Sequence, residues 1–544
     1  MYRSARSSRR FLGVAVTAAA ATALVLAPIG AANAGGGGGH GGGGGGHHGG
    51  NGCDERNNSS VSKLLECVKR GGVLEHLDAF QRIADENGGN RAAGLPGYEA
   101  SADYVAERLE RAGWEVSFDE FPYDYLGPST LRQLTPAEAD YETGAFTGSA
   151  SAEVTGTIVP VDVVLAQPAD TTSGCEPADF TGLDFTGPSD IALIQRGTCD
   201  FSVKVTNAID AGAEAVIIFN QGNDPTREGL IVGTLDPLQA TVPVVGASFA
   251  DGVALAAAGS TALISVPEPE SRPQRNVIAE LPGRNSDNVV MAGAHLDSVQ
   301  AGPGINDNGS GSAALLEIAE NLGKWKPQNT IRFAWWAAEE DGLLGSQAYV
   351  DELDQAARDR IALYLNFDMV ASPNYIYAVY DSDQSTFPAP VPVPEGSVAI
   401  EDLFESYYTA IRQPYDDTEY SGRSDYEAFI LAGIPSGGLF TGAEEVKTEQ
   451  QAAIWGGTAG EQFDPCYHLA CDTRDNIDER ALYVNVGAIA TAVLTYGAST
   501  ESVNGVRGAR FTLLDLLPDP AGPEGTFAGE GGGLAHSHGD RTAS

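Results

Sequence analysis

Between residues 274 and 500 the chain alternates short, near-continuous apolar runs with amphipathic ones, and the apolar runs end beside histidines or acids. Segments 289–294, 330–336 and 361–367 read as strands buried on both faces. Ala314, Leu315, Ile318, Ala319 and Leu322 recur at helical spacing, 343–353 suggests a second helix, and 481–496 a late one. This rhythm restricts the fold class to α/β, with a mainly parallel sheet and helices on both faces. In open sheets of that kind ligands gather beyond the carboxyl ends of the strands. His295 follows the first strand, and Asp307 lies in Asn306-Asp307-Asn308-Gly309-Ser310-Gly311, the loop before the next helix. Glu339 and Glu340 follow the second strand, where an extended chain would send the two side chains opposite ways, and Asp368 follows the third.

The chain has eight histidines. His40, His47 and His48 lie in a glycine tract, and His536 and His538 lie in the tail. His76 falls on a helical stretch at 61–113, where Leu64, Leu65, Val68 and Leu74 repeat, and reads as a surface or packing residue. His295 remains, with His468 in the loop Cys466-Tyr467-His468-Leu469-Ala470-Cys471. Two imidazoles and several carboxylates from separate loops suit zinc. His295, Asp307, Glu340, Asp368 and His468 exceed the usual complement of one catalytic zinc and suit two ions sharing a carboxylate. Asp307 is the natural bridge, because a glycine-rich loop permits close approach. Asp297, two residues past His295, reads as the acid that fixes its tautomer.

The amino terminus has the form of an export signal. Arg3, Arg6, Arg9 and Arg10 precede an apolar stretch, and Ala32-Asn33-Ala34 is a small-residue cleavage site, so 1–34 is expected to be a signal peptide. Ser-Arg-Arg-Phe-Leu resembles a twin-arginine signal imperfectly, which leaves the export route open. No other run looks long and apolar enough to span a bilayer. The formal charge of -42 argues against nucleic acid and anionic membrane surfaces as partners. Six cysteines in an exported chain suggest pairing, and three local pairs present themselves: Cys53 with Cys67, Cys175 with Cys199, and Cys466 with Cys471. Sequence alone does not choose among the connectivities, and Cys466 and Cys471 as metal ligands is the alternative. Residues 35–60 are a Gly/His-rich linker, and 500–544, rich in Gly, Pro and Glu, reads as a disordered tail.

From 126 to 268 the texture changes to short apolar runs separated by turns, with no cluster of histidine and acid. Arg196-Gly197-Thr198-Cys199-Asp200-Phe201 with Lys204, Val205, Ala208 and Ala211-Gly212-Ala213 resembles the protease-associated domain, a β-rich module inserted into several exopeptidases. The expected layout is therefore a peptidase domain in two parts, 61–125 and 269–499, interrupted by an insert at 126–268.

The flanking motifs carry a second resemblance. Gly293-Ala294-His295-Leu296-Asp297-Ser298, Asn306-Asp307-Asn308-Gly309-Ser310-Gly311, and Trp336-Ala337-Ala338-Glu339-Glu340 resemble the secreted double-zinc aminopeptidases, as do Asn366-Phe367-Asp368-Met369, Gly422-Arg423-Ser424-Asp425, Gly437-Gly438-Leu439-Phe440 and Cys466-Tyr467-His468. The likeness is to the bacterial leucine-type enzymes, with aminopeptidase Y more distant. It implies two zinc ions per chain, one on His295, Asp307 and Asp368, the other on Asp307, Glu340 and His468. It implies Glu339 as general base, Tyr467 as a holder of the oxyanion, Arg423 and Phe440 as substrate contacts, a Cys466–Cys471 disulfide, and a cis peptide after Asp307. Tyr426 departs from the histidine that relatives often carry there. The implied activity is removal of N-terminal, mainly apolar, residues from peptides and proteins by a secreted, monomeric enzyme with no membrane attachment after signal cleavage. A glutaminyl-cyclase-like or carboxypeptidase-like reaction on the same scaffold, or a receptor-like ectodomain without activity, are the alternatives.

Overall fold

The structure is a computed structural model that describes residues 52–527, apart from 54–55, 167–168, 225–226, 236 and 509–516. The expected signal peptide and residues 35–51 and 54–55 of the Gly/His-rich linker lie outside the described residues. The main sheet has eight strands: β1 (Glu115–Phe121), β2 (Gln274–Leu281), β3 (Asn285–His295), β4 (Asn329–Trp336), β5 (Ile361–Phe367), β6 (Ala378–Tyr380), β7 (Asp416–Thr418) and β8 (Ser436–Phe440). Their order in space is β1-β2-β4-β3-β5-β8-β6-β7. The middle four, β4, β3, β5 and β8, are parallel. The antiparallel pairings β1–β2, β2–β4 and β6–β8 make the whole sheet mixed.

The parallel centre follows from the sequence as expected. Strand β5 is buried along its whole length, and β4 almost so, because helices cover both faces. Helix α1 (Gly309–Leu322) connects β3 to β4, α2 (Ser397–Ile411) packs against β8, and α3 (Glu479–Ala498) lies against α1 and β4. Helix α3 does reach the length and apolarity needed to cross a membrane, contrary to the expectation that only the amino terminus does. However, 89% of its most apolar window is buried in the protein, so its surroundings are those of a core helix. On the opposite face Trp336, Tyr364 and Phe429 pack together, with the Trp336 indole donating to the Tyr364 hydroxyl at 2.8 Å. This packing requires glycine at 293, where a Cβ would lie 2.4 Å from the Tyr364 hydroxyl and 2.6 Å from the Trp336 indole nitrogen.

Residues 130–266 form a second, seven-stranded sheet, separate from the first. Along Asp190–Gln195 the side chains alternate between two apolar layers, Ile191 and Leu193 on one side, Ala192 and Ile194 on the other. Helices Phe201–Ala211 and Phe249–Leu255 pack on this sheet. Where the chain leaves and rejoins the main domain, Asp124–Tyr125 pairs with Glu270–Ser271. Disulfides join Cys53–Cys67, Cys175–Cys199 and Cys466–Cys471, and none of the six cysteines is free. The expectation of a structureless tail from 500 fails for two stretches. Residues Glu501–Asn504 form a helical turn. Farther on, the Gly525 and Thr526 amides donate to Asp416, and Phe527 packs against Phe387. The buried carboxylate of Asp416 and the Phe387 ring hold a segment whose composition alone reads as unfolded.

Candidate metal centre

Three of the candidate ligands follow strand ends, and Asp307 and His468 come from loops. His295 closes β3, its carbonyl accepting from the Ser312 hydroxyl on α1. Asp307 lies just ahead of α1, whose first turn is capped by the Asn308 side chain accepting from the Gly311 amide. The Asp307–Asn308 peptide is cis. Glu339 and Glu340 follow β4, but not as an extended strand end. The chain turns at Ala338, which has φ 55°, and both glutamate amides donate to Asp297 at 3.3 Å. The different directions of the two side chains therefore come from a turn clamped by one carboxylate. Asp368 follows β5, and its Oδ2 accepts from the Ser424 hydroxyl at 2.6 Å. His468 comes from the disulfide-closed loop, in a left-handed conformation with φ 58°, stacked on Tyr467 at 3.8 Å.

These side chains meet. His295 Nε2 is 3.2 Å from Asp307 Oδ1 and 3.2 Å from Asp368 Oδ1. His468 Nε2 is 3.2 Å from Asp307 Oδ2 and 3.0 Å from Glu340 Oε2. Each oxygen of Asp307 thus faces a different imidazole. Donor atoms of His295, Glu339 and Asp368 lie within 4.8 Å of one another, as do those of His295, Asp307 and Glu340. Four ligands at about 2.0–2.1 Å around a tetrahedral zinc stand about 3.3 Å apart, so these spacings are those of ligands sharing an ion. Asp307 Oδ2 is buried and makes no hydrogen bond despite its close imidazole neighbour. That also describes two ligands better than a donor and an acceptor. The residues present fit zinc.

The electrostatics agree. Burial alone would lower the proton affinity of His295, but the carboxylates of Glu339 and Asp368 overcome it and raise it well above the ordinary value. His468 is raised in the same way, against burial, by Glu340 and Asp307. A field that binds extra protons so strongly binds a divalent cation for the same reason. Burial raises the Glu339 carboxyl well above the usual range, with Asp368 and Glu340 adding to it against His295. Burial, then the charges of Asp307 and Glu444, keep the Tyr467 hydroxyl protonated.

Among the other singled-out residues, Asp297 lies behind His295, 3.6 Å from Nδ1. Arg423 pairs with Glu444 at 3.2 Å, and Phe440 is almost fully buried in the main apolar cluster. Tyr426, at the departure from the motif, packs on Tyr380 and Tyr420. His76 is buried and bonded to the Tyr104 hydroxyl, which makes it a packing residue. Three supporting residues escaped the sequence reading. Asp472 accepts from the Asn306 and Asp307 amides at 2.9 and 3.0 Å and so holds the loop that carries Asp307. Ser424 orients Asp368. Arg91, fully buried, donates to the carbonyls of Leu296, Pro303 and Gly304. The only hint of them is motif membership for Ser424. Asp472 and Arg91 sit in unremarkable loop sequence.

Residues 276–493 match the model of peptidase family M28, and 154–255 match the PA domain. An aminopeptidase of Pseudomonas aeruginosa is 45% identical over 451 residues, covering 81% of this chain and 83% of that protein. A probable lipoprotein aminopeptidase of Mycobacterium tuberculosis is 44% identical, covering 81% and 87%. Among solved structures, a zinc aminopeptidase from Bacillus subtilis superposes with a TM-score of 0.62 at 27% identity, covering 78% of this chain and 94% of that one. With the mixed sheet, the strand-end ligands and this extent of identity, the chain belongs to peptidase family M28 and carries a PA domain within it.

Proposed function

We propose that this M28 peptidase is a zinc-dependent aminopeptidase with two zinc ions per chain, one held by His295, Asp307 and Asp368 and the other by Asp307, Glu340 and His468. The observation that carries the reading is Asp307, whose two oxygens each face a different imidazole at 3.2 Å. When bound, the pair of ions supplies a water of lowered pKa and polarises the scissile carbonyl. Glu339 is the proton carrier. It takes a proton from the attacking water and passes it to the leaving amine. The Tyr467 hydroxyl, which stays protonated, donates to the oxygen that gains charge. Asp297 aligns the His295 ring, and carboxylates at the cleft hold the free ammonium of the substrate.

The substrates are peptide or protein N-termini with apolar first residues, and Phe440 and Arg423 shape that preference. Phe440→Ala and Arg423→Ala are expected to raise KM or change the order of preference across leucine, alanine and lysine p-nitroanilides. Unchanged kinetics in both variants would remove these residues from the pocket. The protein works outside the cytoplasm, a reading supported by three disulfides. A thioether lipid anchor needs a free cysteine, and the pairing of all six supports a chain without one. The central test is leucine-p-nitroanilide hydrolysis during chelation and zinc back-titration. Activity should vanish and return in full only at two ions per chain. Full activity at one ion, or none at any zinc content, overturns the reading.

A further inference from the structure

Away from the zinc ligands, the loop after β6 meets α2 and β7 through a set of carboxylates. Asp381, Glu401, Glu405 and Asp417 are all more than nine-tenths buried. One oxygen each of Glu401, Glu405 and Asp417 lies within 4.8 Å of the others, and Asp381, Asp383 and Glu401 form a second such group. Glu401 belongs to both. Glu401 and Glu405 are one helical turn apart and share a face of α2. None of the ion pairs among the described residues involves these five carboxylates.

The hydrogen bonds account for only part of the oxygen surface. Glu401 Oε2 accepts from the Ser382 and Asp383 amides at 3.0 and 2.9 Å. Asp381 accepts from the Ser385, Thr386 and Phe387 amides at 2.9, 2.9 and 2.6 Å. Asp417 Oδ2 accepts from the Ser385 and Thr386 hydroxyls at 3.3 and 2.5 Å. Asp417 Oδ1 is buried and has no hydrogen-bond partner. This unsatisfied oxygen, on a fully buried side chain within the carboxylate group, points to a ligand in addition to the acidic clustering itself.

Buried like charges without basic partners must be neutralised by protons or by a cation. With protons alone, burial lifts Glu401 to about 9, Glu405 to about 8 and Asp417 to about 6. A cation removes that penalty at neutral pH. The donors are oxygens only, which disfavours zinc. They come from a loop, a helix and a strand, an irregular set that suits the adaptable six- to eight-fold shell of calcium better than the strict octahedron of magnesium. We propose that Glu401, Glu405 and Asp417, with Asp381 and Asp383 beside them, bind one calcium ion that fastens loop 381–387 to α2 and β7.

The test uses the full chain loaded with zinc. Calorimetric titration with calcium chloride should give one ion per chain and raise the thermal midpoint, with magnesium giving a much smaller rise. Glu405→Gln and Asp417→Asn should each weaken calcium binding by about tenfold or more and abolish the calcium-dependent rise, with zinc content and leucine-p-nitroanilide hydrolysis retained. Terbium provides a reading on the unsubstituted protein. Tyr415, bonded to Glu405, should sensitise terbium emission that calcium displaces. The proposal is overturned if calcium neither binds nor displaces terbium, or if folded variants bind calcium as the parent does. Because zinc content and hydrolysis are read separately, failure of this site is distinct from failure of the aminopeptidase reading.

Discussion

At the scale of single residues, the adjacent glutamates separate two functions that sequence alone leaves joined. Asp297 binds both amides, so a neutral substitution in either side chain should leave the turn intact. Glu339→Gln is expected to lower kcat by about 10²–10⁴-fold while both zinc ions remain. Glu340→Gln should lose zinc as well as rate, because its carboxylate faces His468 at 3.0 Å. Metal analysis with steady-state kinetics decides between them, and zinc loss in the Glu339 variant would reverse the roles. Ser424→Ala tests a contact one step farther out. Its hydroxyl donates to Asp368 and accepts from the Asn366 side-chain Nδ2, so its loss frees the carboxylate to rotate. Zinc affinity should fall by about 10–100-fold. Unchanged affinity in a competitive chelator titration would show that Asp368 is held by other means. His295, Glu340 and Asp368 were legible because each follows an apolar run at a strand end, and Asp307 and His468 because they sit in a glycine-rich loop and between two cysteines. Ser424 was visible only as part of a motif, and Asp472 was not visible at all, because its role is to accept two amides from a loop some 165 residues earlier.

At the scale of elements, the parallel centre was legible because strands covered on both faces are written as continuous apolar runs. The antiparallel edges were not. Strand β1 is mostly exposed and breaks its alternation midway, and β6 and β7 are too short for periodicity to register. The insert was legible through texture, and it contains a titration that can be followed. Lys204, on helix Phe201–Ala211, is fully buried and donates to the Ser173 carbonyl. Burial pulls its pKa down to about 8, with Asp179 opposing, whereas the unfolded value is about 10.4. The folded state therefore binds fewer protons between those values, and this group's contribution to stability rises with pH across that window. Below pH 8 the buried charge is a standing penalty. Lys204→Met removes the titration, so the stability difference between parent and variant should shift in favour of the parent by about 3 kcal/mol from pH 7.5 to 10.5. Denaturant unfolding at four pH values checks this. A difference independent of pH would mean that Lys204 remains solvated.

For the whole molecule, the long-range field should act on the substrate before any contact is made. The chain carries a formal charge of -42, and the substrate class proposed for it presents a free ammonium at the end to be cleaved. An anionic protein attracts that end, raising the encounter rate at low salt, whereas hydrolysis within the cleft depends on contacts screened little by bulk ions. The Debye length falls from about 30 Å at 0.01 M salt to about 8 Å at 0.15 M. Over that range kcat/KM for leucine-p-nitroanilide is expected to fall several-fold with kcat nearly constant. Substrate charge grades the effect. The lysine analogue, with two positive charges, should lose more, and the glutamate analogue, with no net charge, should lose little. Osmotic or specific-ion effects on the protein would act on all three substrates alike. Equal salt slopes for the three would therefore assign the dependence to the protein and not to attraction of the substrate. A steeper loss for the glutamate analogue would place a local basic patch, centred on Arg423, in control of the approach.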